Sequence, residues 1–514
     1  MSKDTRRPSV PPRPSSQPPR YSSRPPPPLH TDFVGGVGAG VRFRPVRIPA
    51  AELPVDLVCR FRADGFDVGP LAVLDLGPAG FAATAPSEPA LPPGSAIDGL
   101  ELLLRDRVVW SGAATVVHGS PGRIGVRFDS GTIDLRQLHI EATFDARLLM
   151  LGEQRERLPA EWRARVSDLR QLLEDARLEV ERFERAGDED PLRRSAEEGA
   201  LLEGLRARWG AEYYDALSAL HEQSKSLDER ARVLASSYAE SALMPLLSAC
   251  HLHRRAYEKP LGYAGDYRLM EFHFADERIG DGLFGRFLFS IAQGYTLTRT
   301  VVARELVTRT AIRQLVEEDT MEPARVLSVA AGPAIELRHL LGGSPNIVRP
   351  VEFLLLDQDD AALETAHRHL TRLLLERHHG ELPVTVTCLH FSIRQLLKPT
   401  TPEEREVVST LEGLDLIYSA GLYDYLPDAF ATWLTRGLYA QLRGGGRLLL
   451  GNMVEAPDTT WLMDYVLDWP LYYRTDASMW ALAAGLSPPP ASTRVVHDAT
   501  GHCVFLDVAR PGAG

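Results

Sequence analysis

Two short stretches of this sequence carry the residue types from which a nucleoside site is made. Val329-Ala-Ala-Gly-Pro-Ala-Ile-Glu follows an apolar run, and the small residues Ala330, Gly332 and Ala334 let a backbone turn approach a ligand closely. The next apolar run ends in Asp357-Gln-Asp. A carboxylate at the end of a second strand can accept from both hydroxyls of a ribose. Other groups suited to a pocket are Tyr423, Asp424 and Tyr425 in Ser419-Ala-Gly-Leu-Tyr-Asp-Tyr-Leu, and Tyr263 and Asp266 in Gly262-Tyr-Ala-Gly-Asp, where glycines permit movement. These tyrosines either project into a pocket or pack in a core with the hydroxyl satisfied. Arg474 suits a carboxylate clamp, because a guanidinium grips two oxygens at once; the alternative is a salt bridge to Asp468 or Asp476.

The elements that must position these groups are legible as patterns. Within residues 321–514, apolar runs alternate with helical patterns: Arg325-Val-Leu-Ser-Val-Ala, Val351-Glu-Phe-Leu-Leu-Leu, Val384-Thr-Val-Thr-Cys-Leu, Leu414-Asp-Leu-Ile-Tyr and Gly446-Arg-Leu-Leu-Leu-Gly. Near-continuous apolar strands between helices predict a buried parallel sheet, and segments near Arg494 and Cys503 predict a closing hairpin. Residues 149–320 read as a helical connector and lid. Leu169, Leu172, Leu173, Ala176, Val180 and Phe183 recur at helical spacing, as either a connector helix or a dimer-forming coiled coil. His367, His369, His378 and His379 fall on a polar helical stretch, so they are expected on a solvated face rather than around a metal.

Two cofactors compete for the turn and the acidic strand end. A dinucleotide needs the full G-x-G-x-x-G to seat its pyrophosphate, and here the outer glycines are absent and Pro333 follows Gly332. S-adenosylmethionine (SAM) has no phosphate and tolerates the looser turn. At residues 326–334, 357 and 444–446 the sequence resembles class I SAM-dependent methyltransferases, with Ser328 where many members carry an acidic residue. Lys259-Pro-Leu-Gly-Tyr-Ala-Gly-Asp-Tyr, the stretch from Ser419 and Asp468-Trp-Pro-Leu-Tyr-Tyr-Arg-Thr look like bacterial enzymes of extracellular factor (3-hydroxypalmitic acid methyl ester) biosynthesis, over residues 230–510. The resemblance implies a Rossmann-like seven-stranded domain and methyl transfer from SAM to the carboxylate of a 3-hydroxy fatty acid. It implies a cofactor set of Ser328, Ala330, Gly332, Glu336, Asp357, Gln358, Phe391 and Ser392, and a substrate set of Tyr263, Asp266, Tyr423, Asp424 and Arg474.

Residues 41–148 differ in kind. Short alternating runs separated by turn residues predict a small β-barrel. Arg-Phe-Arg-Pro-Val-Arg at 42–47 and Asp75-Leu-Gly-Pro-Ala-Gly resemble the PilZ domain, which implies cyclic di-GMP held by Arg44, Arg47, Asp75 and Gly80. The arginine spacing departs from the family's R-x-x-x-R, and Gly77 stands where the family has serine. A barrel used only for contact stays open beside a nucleotide-binding one.

The expected fold class is therefore multidomain, α/β plus β: a tail (1–40), a barrel (41–148), a helical connector and lid (149–320) and the methyltransferase-like domain (321–514). The tail is proline- and arginine-rich, expected to be disordered or a docking segment, and lacks the apolar core of a secretory signal. A net charge of −12 argues against nucleic acid and against lasting attachment to anionic membrane. The four cysteines are far apart, which points to free thiols in a cytoplasmic protein and to no metal site. A homodimer is one possible assembly. Two further functions stay open: methylation of another small molecule or a protein carboxylate, and a non-catalytic cyclic di-GMP effector.

Overall fold

Strand Leu57–Ala63 (β4) shows how the N-terminal barrel forms. Leu57, Cys59, Phe61 and Ala63 are buried while Arg60 and Arg62 between them face water. The same alternation buries Ile124, Val126 and Phe128 of β9 (Arg123–Phe128). The computed structural model describes residues 32–34, 42–44, 47–63, 65–85, 91–186, 191–275, 279–318, 320, 322–343 and 345–512. The expected disordered tail falls outside them except for Asp32–Val34 (β1), which pairs antiparallel with Arg42–Arg44 (β2). The chain folds as two compact units, residues 1–157 and 158–514.

In the first unit, β4, β5 (Phe66–Gly77), β6 (Gly80–Thr84), β7 (Ala96–Leu104), β8 (Arg107–Ser120) and β9 run in the order β5-β4-β7-β8-β9-β6. Pairing of β5 with β6 closes this antiparallel barrel of six strands, and Ile48–Pro49 (β3) adds to β5. Closure leaves no free edge along the ring. Trp110 stacks on Phe128 at 4.0 Å, and helix α1 (Leu135–Arg157) adds Leu135, Leu138 and Ala142 to the core.

The second unit begins with helices α2 (Ala160–Ala186), α3 (Pro191–Ser224), α4 (Glu229–Leu247), α5 (His251–Glu258), α6 (Tyr267–His273), α7 (Gly282–Gln293) and α8 (Thr296–Val316). The apolar stripe of α2 is buried against α3, α4 and α7. That face is spent inside the chain, so the coiled-coil reading of this segment gives way to a packed helix. Strands and helices then alternate: β10 (Ala324–Val329), α9 (Ile335–Gly342), β11 (Val351–Asp357), α10 (Asp360–Arg372), β12 (Val384–His390), α11 (Ile393–Leu397), α12 (Pro402–Ser409), β13 (Leu414–Ser419), α13 (Asp428–Gln441), β14 (Leu442–Met453), α14 (Pro457–Tyr465), α15 (Asp476–Leu482), β15 (Ser492–His497) and β16 (Cys503–Ala509).

The sheet order is β12-β11-β10-β13-β14-β16-β15. Strands β10 to β14 are parallel, while β16 and β15 form the expected antiparallel hairpin at the edge. All six residues of β13 are buried, as befits a central strand covered on both faces. The chain runs outward from β10 to β12, then returns to place β13 on the other side of β10. This reversal opens a crevice beyond the strand carboxyl ends, where open α/β sheets bind ligands. No helix among the described residues is long and apolar enough to cross a membrane.

Helix α14 is fixed to the helical layer by a shared hydroxyl. Ser224 Oγ accepts from the indole nitrogens of Trp162 (2.9 Å) and Trp461 (3.1 Å) and donates to Leu220 O (2.7 Å). Trp461 and Trp162 are fully buried, so this apolar junction has no unsatisfied indole.

Candidate functional site

The turn after β10 holds three residues with left-handed backbone: Ala330 (φ 55°), Gly332 (φ 53°) and Ala334 (φ 48°). Two of them are alanines, for which this conformation costs about 1–2 kcal/mol each. Strain of this kind persists where the surroundings fix it and collects at ligand sites. What fixes it is visible. Ala331 N donates to Leu356 O at 3.1 Å, and Gly332 N donates to Asp357 Oδ2 at 2.8 Å. A Cβ placed on Gly332 would meet only open space, so the backbone here borders the cavity directly.

Asp357 closes β11 and is buried, with Asp359 N donating to its Oδ1 at 3.0 Å. Burial pushes its carboxyl above the ordinary range, opposed by the N–H groups of Gly332 and Asp359. Each oxygen keeps a lone pair for a ligand hydroxyl. Glu336, on the first turn of α9, accepts from Tyr418 at 2.6 Å. Phe391 and Ser392 follow β12, where Ser392 caps α11 through a reciprocal bond with Gln395.

These residues open into one cavity of about 690 Å³, whose walls include Ala330, Gly332, Glu336, Asp357, Gln358, Phe391 and Ser392. Ser328 is not among them; it lies inside β10, buried beside Tyr418. Beyond the strand ends the cavity broadens between α5, α6, α8 and α14, where Leu252, Met270, Phe274, Leu297, Leu462 and Met463 make its surface apolar.

Tyr263 lines the cavity and donates to Asp359 Oδ2 at 3.3 Å. Its loop is tied down on both sides. Lys259 Nζ reaches Asp468 at 2.5 Å, and Tyr425 donates to Ala264 O at 3.2 Å while accepting from Trp469 Nε1 at 3.0 Å. A Cβ on Gly265 would fall 2.2 Å from the Tyr425 hydroxyl, so only glycine allows this approach. Asp424 also faces the cavity, accepting from Met453 N at 2.6 Å and from Arg304 Nη1 at 3.2 Å. Burial pushes its carboxyl up to about 6, with Arg304 and Met453 N pulling the other way.

Three expected substrate residues are placed elsewhere. Tyr423 is fully buried in the core and shares a hydrogen bond with Thr435 at 3.0 Å; its neighbours Asp424 and Tyr425 take the cavity side of the turn. Asp266 is the N-cap of α6, accepting from Leu269 N at 2.9 Å and paired with Arg255 at 2.7 Å. Arg474 is buried away from the cavity. It donates to Tyr423 O (2.7 Å), Leu426 O (2.5 Å), Asn452 Oδ1 (2.5 Å) and Asp428 Oδ1 (2.9 Å). The guanidinium is saturated by the loop it pins, and its acidic partner is Asp428 rather than Asp468 or Asp476. On α10, His367 is exposed and His369 half-buried; beyond that helix His378 bonds Leu341 O and His379 is exposed.

Sequence reasoning missed Arg304, His253, His273 and Tyr295, all on the cavity wall. They come from a helical stretch whose polar residues carry no motif.

In the barrel, Asp75 holds two cations, Arg47 Nε at 2.6 Å and Arg123 Nη2 at 2.5 Å. Gly80 lets β6 lie against β9, since a Cβ there would fall 2.2 Å from Val126 O. The Arg44 side chain lies outside the described residues.

No family model and no curated protein matches this chain. Solved structures with partial similarity include a possible exported protein from Bordetella parapertussis, at 16% identity over 60% of this chain and 98% of that one, with a TM-score of 0.36. Another is magnesium protoporphyrin IX methyltransferase (ChlM) from Synechocystis PCC 6803 with bound SAH, at 11% identity over 42% and 86%, TM-score 0.31. A third is the N-methyltransferase NodS from Bradyrhizobium japonicum WM9 in complex with S-adenosyl-L-homocysteine, at 15% identity over 40% and 88%, TM-score 0.27.

Proposed function

We propose that residues 158–514 form a SAM-dependent methyltransferase that esterifies the carboxylate of an aliphatic acid, a 3-hydroxy fatty acid in particular. One observation supports this reading above the others: a strand-end cradle suited to a nucleoside opens, within one cavity, onto a chamber with an apolar surface. The cradle fits SAM because its backbone turn borders open space at Gly332 and its buried carboxylate, Asp357, keeps lone pairs for a ribose diol. It offers no glycine-rich nest for a pyrophosphate.

SAM supplies an electrophilic methyl group on a sulfonium, and its transfer to a carboxylate oxygen leaves the S–C electron pair on sulfur with no proton moved. The chain's own task is to bind, align and exclude water. Asp357, Gln358 and the turn at 330–332 hold the nucleoside. The apolar wall takes the aliphatic chain. Arg304, already beside Asp424, orients the acid's carboxylate in the position expected of Arg474. Tyr263, Tyr425 and Trp469 close the wall toward α6. A cytoplasmic setting agrees with the requirement for SAM.

The test is calorimetry with SAM, followed by transfer of labelled methyl to fatty acids and lipid extract. A base-labile labelled ester is the expected product. Absence of SAM binding overturns the cofactor assignment, and SAM binding with label only on protein or on a different small molecule overturns the substrate. Asp357→Ala should weaken SAM binding by roughly ten- to 150-fold, the loss of about 1.5–3 kcal/mol of charge-assisted hydrogen bonding. Asp357→Asn should lose less, since it keeps the shape and an acceptor for Gly332 N. Unchanged affinity in a folded Asp357→Ala protein removes this residue from the site.

For the barrel we propose weak cyclic di-GMP binding through Arg44 and Arg47. Arg47 must leave Asp75 to reach a phosphate, which adds to the cost of the missing serine. Affinity should fall about thirtyfold below that of an intact site for two lost hydrogen bonds, and further with salt. Titration of the full chain and of the Arg44→Ala, Arg47→Ala double variant checks this; equal binding by the two sinks the arginine assignment.

A further inference from the structure

The apolar chamber contains a polar group that the proposed reaction does not use. His273 is the last residue of α6, 6% exposed and on the cavity wall. Among the described residues neither of its ring nitrogens has a hydrogen-bond partner. Burial, with Arg304 nearby, pushes its ring down to about 3, so it stands neutral at pH 7. A second imidazole, His253 of α5, is fully buried on the same wall. Its Nε2 shares a hydrogen bond with Tyr295 at 3.0 Å, Tyr295 shares another with Tyr213 at 2.9 Å, and the Leu247 backbone is a further partner of the ring.

Buried polar atoms are paired in folded proteins, and leaving them unpaired is costly. An imidazole with both nitrogens open, set among leucine, methionine and phenylalanine on a cavity wall, has polar atoms left for a ligand. A neutral ring presents one donor and one acceptor. A hydroxyl, which both donates and accepts, satisfies either tautomer. A second carboxylate or an ammonium would meet rings that carry no compensating charge.

We propose that His273 is a specificity-determining residue that hydrogen-bonds a single hydroxyl on an otherwise aliphatic acid, with the His253–Tyr295 pair as a second polar point on the same wall. This rests on reading the chamber as the site of an aliphatic acid, and deepens it: the hydroxyl is recognised, not merely tolerated. A wall built to bond a hydroxyl rejects the analogue that lacks it, because its own polar atoms are then left open.

The experiment measures equilibrium binding of hexadecanoic acid and 3-hydroxyhexadecanoic acid to the full chain, in the presence of S-adenosylhomocysteine, by displacement of a fluorescent fatty-acid analogue. The wild type should bind the hydroxylated acid about tenfold more tightly, the equivalent of one good hydrogen bond. His273→Leu should bind the two acids equally while keeping its affinity for hexadecanoic acid. His273→Asn, which retains a donor and an acceptor, should recover part of the preference. Equal affinities in the wild type, or an intact preference in His273→Leu, overturn the proposal and leave the aliphatic-acid reading standing. If the wild type binds neither acid, the aliphatic-acid reading fails and this inference falls with it, while SAM calorimetry still reports separately on the cofactor. The wild-type comparison needs no variant to fold.

Discussion

Arg474→Ala should lower the unfolding free energy of the C-terminal unit by about 3–5 kcal/mol, with loss of activity as a consequence of unfolding. The arginine serves three acceptors at once, Tyr423 O, Leu426 O and Asn452 Oδ1. Leu426 O and Asn452 Oδ1 lose this donor while Tyr423 O keeps Leu426 N at 3.1 Å, and a buried unsatisfied acceptor costs about 1–3 kcal/mol. Asp428, largely exposed, loses little, since water replaces its partner. Arg474→Lys should restore less than half, because one ammonium cannot span the fork. Urea denaturation, with SAM affinity measured on the folded protein, separates the two roles this residue could play. Full stability with weakened acid binding would return Arg474 to the substrate site.

Acid should loosen the same unit through its buried histidines. Burial pushes His253 down to about 4 and His273 down to about 3. Because these folded values lie below the ordinary 6.5, the unfolded chain binds more protons under pH 6.5. The stability each ring confers is whole above that pH and is lost as pH falls toward the folded value. By pH 4 the loss is roughly 3 kcal/mol per ring, and His273 would also meet the Arg304 cation. Asp424 acts in the opposite sense: its folded value of about 6 makes the folded state the better proton binder between about 6 and 4, and offsets part of the loss. The discriminating quantity is therefore the difference between wild type and His273→Leu in unfolding free energy at pH 7 and pH 4.5. The variant should lose stability more slowly, by up to about 1.4 kcal/mol per pH unit. Parallel curves would mean that the protonated ring finds partners inside the folded unit.

What could be read from the sequence divides along a physical line. The parallel strands were legible because a strand buried on both faces is a near-continuous apolar run, as in Val351–Asp357 and Leu414–Ser419. The small-residue turn and Asp357 followed, since both sit at strand ends. The phase of the turn after β13 was not legible. Tyr423 and Tyr425 are two residues apart in a single 3-10 turn, yet one enters the core and the other the cavity. Arg474 was misassigned because half of its partners are backbone carbonyls, which every residue carries alike. Arg304, His253 and His273 were missed because which face of α5, α6 and α8 turns toward the cavity is decided by tertiary packing, not by any spacing within those helices.

The Ser224 junction sets an order in time. Its two tryptophans lie at Trp162 and Trp461, so the hydroxyl's second indole is 237 residues downstream. At about 5–20 residues per second, roughly 12–47 s pass between synthesis of α3 and of α14. During that interval the helices made first present their share of an aromatic core to the cell with its other half not yet translated. A ribosome stalled within the sheet would leave that surface bare, and a holdase chaperone is the kind of partner equipped to cover it until α14 arrives.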